Sequence, residues 1–225
     1  MIRLIAVLLA LALSGCASMV KSTQSAGESL EASIIEMMTH SSEDESSPPR
    51  ALEEITNEVM LSEVWQRKVI EGQGNRFLKL EMVISDGNLY VADRKGQVVA
   101  LDQQTGETLW EVDTQLPISG GLEVGYENLF FGTTDADVVA LKLNDGETTW
   151  TARVSSEVLS VPRFAEGLLV VRSIDGAINT LDASTGEDKW SYIRDVPALS
   201  LRGTSSPVLK SGGVISGYAN GKLVV

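Results

Sequence analysis

Three tryptophans, Trp110, Trp150 and Trp190, lie forty residues apart, and each closes a variant of one ten-residue phrase. The phrases read Leu-Asp-Gln-Gln-Thr-Gly-Glu-Thr-Leu-Trp, Leu-Lys-Leu-Asn-Asp-Gly-Glu-Thr-Thr-Trp and Leu-Asp-Ala-Ser-Thr-Gly-Glu-Asp-Lys-Trp. The same interval separates Leu89, Leu129 and Leu169, then Val98, Val138 and Ile178, then Gly106, Gly146 and Gly186. A β-rich unit of this length makes one small sheet, which cannot bury both faces without a neighbour on each side. The expected fold is therefore all-β, a β-propeller of four-stranded antiparallel blades.

Within one unit, residues 167–173 read as a buried strand, Asp175-Gly176 as a hairpin turn and 177–182 as the next strand. A second turn runs through Thr185-Gly186, and 187–192 leads out. Glycine in that second turn takes the positive φ that other residues resist, and an Asp ahead of it, as at Asp102 and Asp182, bonds the amides of the turn. The Trp ring is expected to fill the space between blades while its indole N–H meets a backbone carbonyl. Asp102, Gly106, Trp110, Gly146, Trp150, Asp182, Gly186 and Trp190 are thus read as architecture, not as chemistry. The spacing from Trp65 to Trp110 is forty-five, and 211–225 matches the start of another unit with a similar five-residue shift. Insertions between blades explain both. Residues 63–225 hold about four units and stop in mid-strand, so a partial propeller is expected, a fragment of a protein that continues for several more blades.

The opposite end is read as a lipoprotein signal peptide over residues 1–15. Arg3 precedes an apolar run from Leu4 to Leu13, too short to span a bilayer, and Leu13-Ser14-Gly15-Cys16 has the form of a lipobox. Acylation of Cys16 accounts for the single cysteine of an exported chain. Ala17, where an Asp would direct retention in the inner membrane, favours the outer membrane, facing the periplasm. Residues 16–62 are rich in Ser and acidic side chains and are expected to form a flexible tether. Within it, 30–38 and 52–60 carry apolar residues at helical spacing, and the second stretch equally suits a strand that completes the last blade of a closed ring.

A formal charge of −13, from 18 Lys and Arg against 31 Asp and Glu, argues against nucleic acid and against electrostatic adhesion to anionic lipid. Acyl chains on Cys16 are the expected membrane link. The sole histidine, His40, sits in the tether, which leaves no His-based triad and no His metal cluster. One segment stands apart from the repeat. The stretch 196–203, Val-Pro-Ala-Leu-Ser-Leu-Arg-Gly, falls in an inter-blade insertion and sets Leu199 and Leu201 on one side of an extended chain with Arg202 beside them. Two apolar anchors next to an Arg suit a protein interface. The same residues also suit a fold role, with both leucines under the blade and Arg202 capping a carbonyl.

Together the lipobox, the quinoprotein-like repeats and the segment 196–203 resemble the amino-terminal half of the BamB family, propeller lipoproteins of the machinery that folds β-barrels into the bacterial outer membrane. The resemblance implies an eight-bladed ring without enzymatic activity or cofactor, serving as a scaffold for the periplasmic POTRA domains of BamA. Leu199, Leu201 and Arg202 match the residues through which that family grips BamA. The phrase 100–110 also resembles the tryptophan-docking motif of pyrroloquinoline-quinone alcohol dehydrogenases. Those enzymes pair their cofactor with a vicinal disulfide and Ca²⁺, and the one Cys here is assigned to lipid. A propeller lipoprotein that binds another envelope partner is the third reading.

Overall fold

The computed structural model describes residues 60–194, 196–197 and 203–225. The expected signal peptide at 1–15, Cys16 and the tether through residue 59 lie outside the described residues, and with them both candidate helices except Met60.

From residue 61 onward the described chain builds a succession of antiparallel sheets, and within each sheet every strand pairs with its neighbour in sequence. The first sheet holds β1 (Val83–Ser85), β2 (Asn88–Ala92), β3 (Gln97–Asp102) and β4 (Thr108–Asp113). The second holds β5 (Glu123–Gly125), β6 (Asn128–Gly132), β7 (Asp137–Lys142) and β8 (Thr148–Arg153). The third holds β9 (Arg163–Ala165), β10 (Leu168–Arg172), β11 (Ile178–Asp182) and β12 (Asp188–Tyr192). A last sheet has three strands, β13 (Val208–Lys210), β14 (Gly213–Gly217) and β15 (Leu223–Val224). The four-stranded antiparallel blade expected from the repeat is thus present three times.

The two middle strands of each four-stranded blade are largely apolar on both faces because each face is covered, by a neighbouring sheet or, on the far side of the first blade, by the chain that precedes it. Alternation along one strand sends successive side chains to different joints. Phe131 joins Tyr90, Val98 and Ile118 between the first and second sheets, while Phe130 joins Leu169, Val171 and Leu181 between the second and third. Val170 and Ile178 meet Tyr218, Leu209 and Val214 of the last sheet. The far face of the first sheet, Val91, Val99 and Leu101, is covered by Trp65, Val69 and Ile70 from the chain that precedes it.

Each blade carries the same irregularity. The register shifts between Ala100 and Leu101, between Ala140 and Leu141, and between Thr180 and Leu181. A bulge inserts an extra residue on one strand and bends it. Here it brings Trp110, Trp150 and Trp190 opposite Ala100, Ala140 and Thr180.

Candidate docking site

The repeated phrase builds the joint between sheets. Trp110 Nε1 donates to the carbonyl of Leu143 at 2.8 Å, and Trp150 Nε1 to that of Ala183 at 3.2 Å. Trp65 Nε1 makes the equivalent bond to Gln103 at 2.9 Å, so the extra five residues before Trp110 leave the joint intact. Each ring lies on the glycine of the next turn. A Cβ on Gly106, Gly146 or Gly186 would stand 2.7, 2.9 or 2.7 Å from the Trp65, Trp110 or Trp150 ring, and these glycines have φ of 70°, 74° and 76°. Trp190 differs. It is 42% exposed, no turn receives the ring among the described residues, and it lines a groove of about 280 Å³ with Leu168, Leu209 and Val214.

The aspartates do what their position requires. Asp102 Oδ1 accepts from the amides of Gln104 and Thr105 at 2.9 and 2.7 Å, and Asp182 Oδ1 from those of Ser184 and Thr185 at 3.0 and 3.2 Å. The middle phrase has Lys142 at that place, paired with Glu147, while Asp145 accepts from the Glu147 amide at 2.9 Å. The Ser184 hydroxyl, then Lys189 and the turn amides, hold the Asp182 carboxyl well below the usual carboxylate range. A depressed folded-state pKa contributes stability above the unfolded value of about 4, lost as pH falls through the folded value. Asp182→Asn should therefore be less stable than the parent at pH 7, with a gap that narrows in strong acid. Denaturant midpoints measured across that range check this, and a gap that widens in acid would contradict it.

Of the residues expected to bind a partner, Leu199, Leu201 and Arg202 lie outside the described residues, as do Asp195, Ala198 and Ser200. Their flanks are described, and both are fixed. On the entry side Val196 packs on the cluster of Val170, Ile178 and Tyr218, and a Cβ on Gly176 would come within 2.7 Å of its Cγ1. On the exit side the Ser205 hydroxyl donates to the Gly217 carbonyl at 3.1 Å. Ser160 makes the corresponding bond to the Arg172 carbonyl at 3.3 Å one blade earlier. Ser160 and Ser205 are forty-five residues apart where the repeat expects forty, which places the insertion in this connector. Arg172, buried at the end of β10, also reaches Ser205. No motif reading singles it out. The one available signal is that it interrupts the small residues Ala92 and Gly132 at its repeat position.

Taken together, the stacked sheets and the tryptophan joints define a β-propeller array whose repeated polar residues are committed to turns and sheet contacts. The family model for outer membrane protein assembly factor BamB matches residues 62–117 and 94–225. The chain belongs to the BamB family. Relatives of that name include those of Pseudomonas aeruginosa, 37% identical with 79% of this chain and 47% of the relative covered, and of Vibrio cholerae, 36% identical with 81% and 48% covered. The chain spans about half the length of these curated relatives. Among solved structures, BamB of Moraxella catarrhalis superposes with a TM-score of 0.57 at 22% identity, over 66% of this chain and 44% of that one, a likeness of fold.

Proposed function

We propose that this chain is a non-enzymatic docking scaffold of the machinery that assembles proteins into the bacterial outer membrane. It faces the periplasm, is held there by acyl chains on Cys16, and binds the POTRA domains of BamA through Leu199, Leu201 and Arg202. The observation that carries the reading is the lengthened connector between β12 and β13, which breaks the forty-residue interval kept across the three four-stranded blades in a chain of the BamB family. Its relatives bear the name of outer membrane protein assembly factors.

The repeated phrase supports a scaffold over a quinone enzyme. Its tryptophans and glycines are used against each other at the sheet joints, and its aspartates are used on their own turns. Affinity would come from desolvating two leucines and one Arg on a stiff framework, which keeps the ordering cost low.

Arg202→Glu is expected to weaken binding of isolated POTRA domains about 30-fold, the equivalent of about 2 kcal/mol. Titration calorimetry of the full chain against those domains reads this directly. Unchanged affinity would remove the docking role of the segment and favour a different envelope partner.

A further inference from the structure

The second strands of successive sheets end at Ala92, Gly132, Arg172 and Gly217, so a charged side chain stands at one of four places that otherwise hold small residues. Arg172 is also 3% exposed. Its Nη1 donates to Ser205 Oγ at 2.6 Å, to Ser216 Oγ at 3.2 Å and to the carbonyl of Gly217, and its guanidinium carbon lies 4.4 Å from the centre of the Tyr218 ring. These contacts fix the plane of the group, yet every acceptor is neutral and all three are used by one nitrogen. A guanidinium carries five N–H donors. Nε is buried without a partner, and the described residues offer Nη2 no acceptor.

Taking a guanidinium out of water costs free energy that a carboxylate partner ordinarily offsets. The surroundings supply none. Arg172 lines a cavity of about 430 Å³ with Thr204, Ser205, Tyr218 and the exposed Lys222, and no Asp or Glu is among the described residues that line it. A lining with two cations and no carboxylate runs against the composition of a chain with 31 acidic and 18 basic side chains. Thr204 Oγ1 is buried without a partner as well.

An oxyanion answers all of these groups together. Its oxygens accept from the guanidinium and from the Thr204 hydroxyl, its charge meets Arg172 where water is scarce, and Lys222 at the surface draws it in. The cavity has more room than a bare anion fills, and Ile174, Val196 and Leu223 line it too, which suits a head group attached to a short apolar body. We propose that this cavity, between the third sheet and the last, binds a small oxyanion: a carboxylate or phosphate carrying a short organic body. The site goes beyond the docking role of residues 199–202 and does not require it.

The test titrates the full chain with sodium butyrate and with butyl phosphate, each replacing sodium chloride at constant ionic strength, with butanol as the uncharged control. Nuclear magnetic resonance follows the Arg172 Nε–H and the amides of Ser205, Gly217 and Tyr218. A saturable shift with a millimolar midpoint is expected for at least one anion and none for butanol; the tighter anion names the head group. The same anion should raise the thermal midpoint of the parent and not that of Arg172→Gln. In that variant, with its fold checked by circular dichroism, binding should weaken at least about tenfold. Thr204→Val and Lys222→Ala remove a hydroxyl and an exposed ammonium, and each should weaken binding several-fold, which keeps the test decisive if Arg172→Gln does not fold. No saturable shift with either anion overturns the site. So does an equal shift with butanol, which would make the cavity merely apolar, or parent affinity in a folded Arg172→Gln or in both milder variants.

Discussion

Replacing Trp150 with alanine is expected to lower the free energy of unfolding by about 3–5 kcal/mol, the range for removing a large aromatic side chain from a packed site. The ring is 9% exposed, stands 5.7 Å from Phe130 and lies on the Gly186 turn, with its indole donating to Ala183 at 3.2 Å. Truncation therefore empties a sheet joint and leaves a turn carbonyl without its donor. Trp190→Ala supplies an internal comparison, because the same residue at the same place in the phrase is 42% exposed and no turn receives its indole among the described residues. Its loss should cost less than about 1 kcal/mol. Urea denaturation followed by circular dichroism, with the slope checked for constancy, measures both. Equal losses would mean that the tryptophans stabilise their own blades and do not join neighbours.

A comparable effect is expected from the other half of the joint. Gly186→Ala meets two separate penalties. A left-handed backbone, here φ 76°, costs an alanine about 1–2 kcal/mol. A Cβ placed 2.7 Å from the Trp150 ring adds an overpacking cost of about 1–3 kcal/mol. The sum is about 3 kcal/mol. In a Trp150→Ala background the ring is gone and only the backbone penalty remains, so the two substitutions should be non-additive by about 1–3 kcal/mol, the overpacking cost. Additivity in that double-mutant cycle would show that the glycine is needed for the turn alone. The same logic applies to Gly106 under Trp65 and Gly146 under Trp110, where the geometry recurs.

Much of this joint was legible in the chain. A period of forty, a glycine in each second turn and a tryptophan at the end of each phrase pointed to stacked blades, to positive φ and to an indole seeking a carbonyl. Other parts left no readable trace. The three-residue first strands β1, β5 and β9 are too short to show alternation, although their starting residues Val83, Glu123 and Arg163 keep the forty-residue interval. At that position Arg163 donates to Glu123 across the sheets at 2.8 Å, while burial pushes the Glu123 carboxyl up. The ion pair is formed between different blades, so no single unit predicts it. Likewise Lys142 departs from the Asp pattern and pairs with Glu147, while Asp145 accepts from the Glu147 amide, the bond that the Thr105 and Thr185 hydroxyls accept in the other two phrases.

The sequence by itself determined the repeat unit, the turn residues and the class of fold, because these depend on local backbone preference and on spacing along one chain. It also marked the connector at 196–203 as an interruption. Only the tertiary structure decided which glycine each tryptophan covers, that the bulge recurs in each four-stranded blade, and that the buried Arg172 reaches Ser205, Ser216 and Gly217. Those outcomes depend on atoms that are distant in sequence and meet only when one sheet is laid on the next, where excluded volume and the burial of polar groups choose among side chains that the chain alone treats as equivalent.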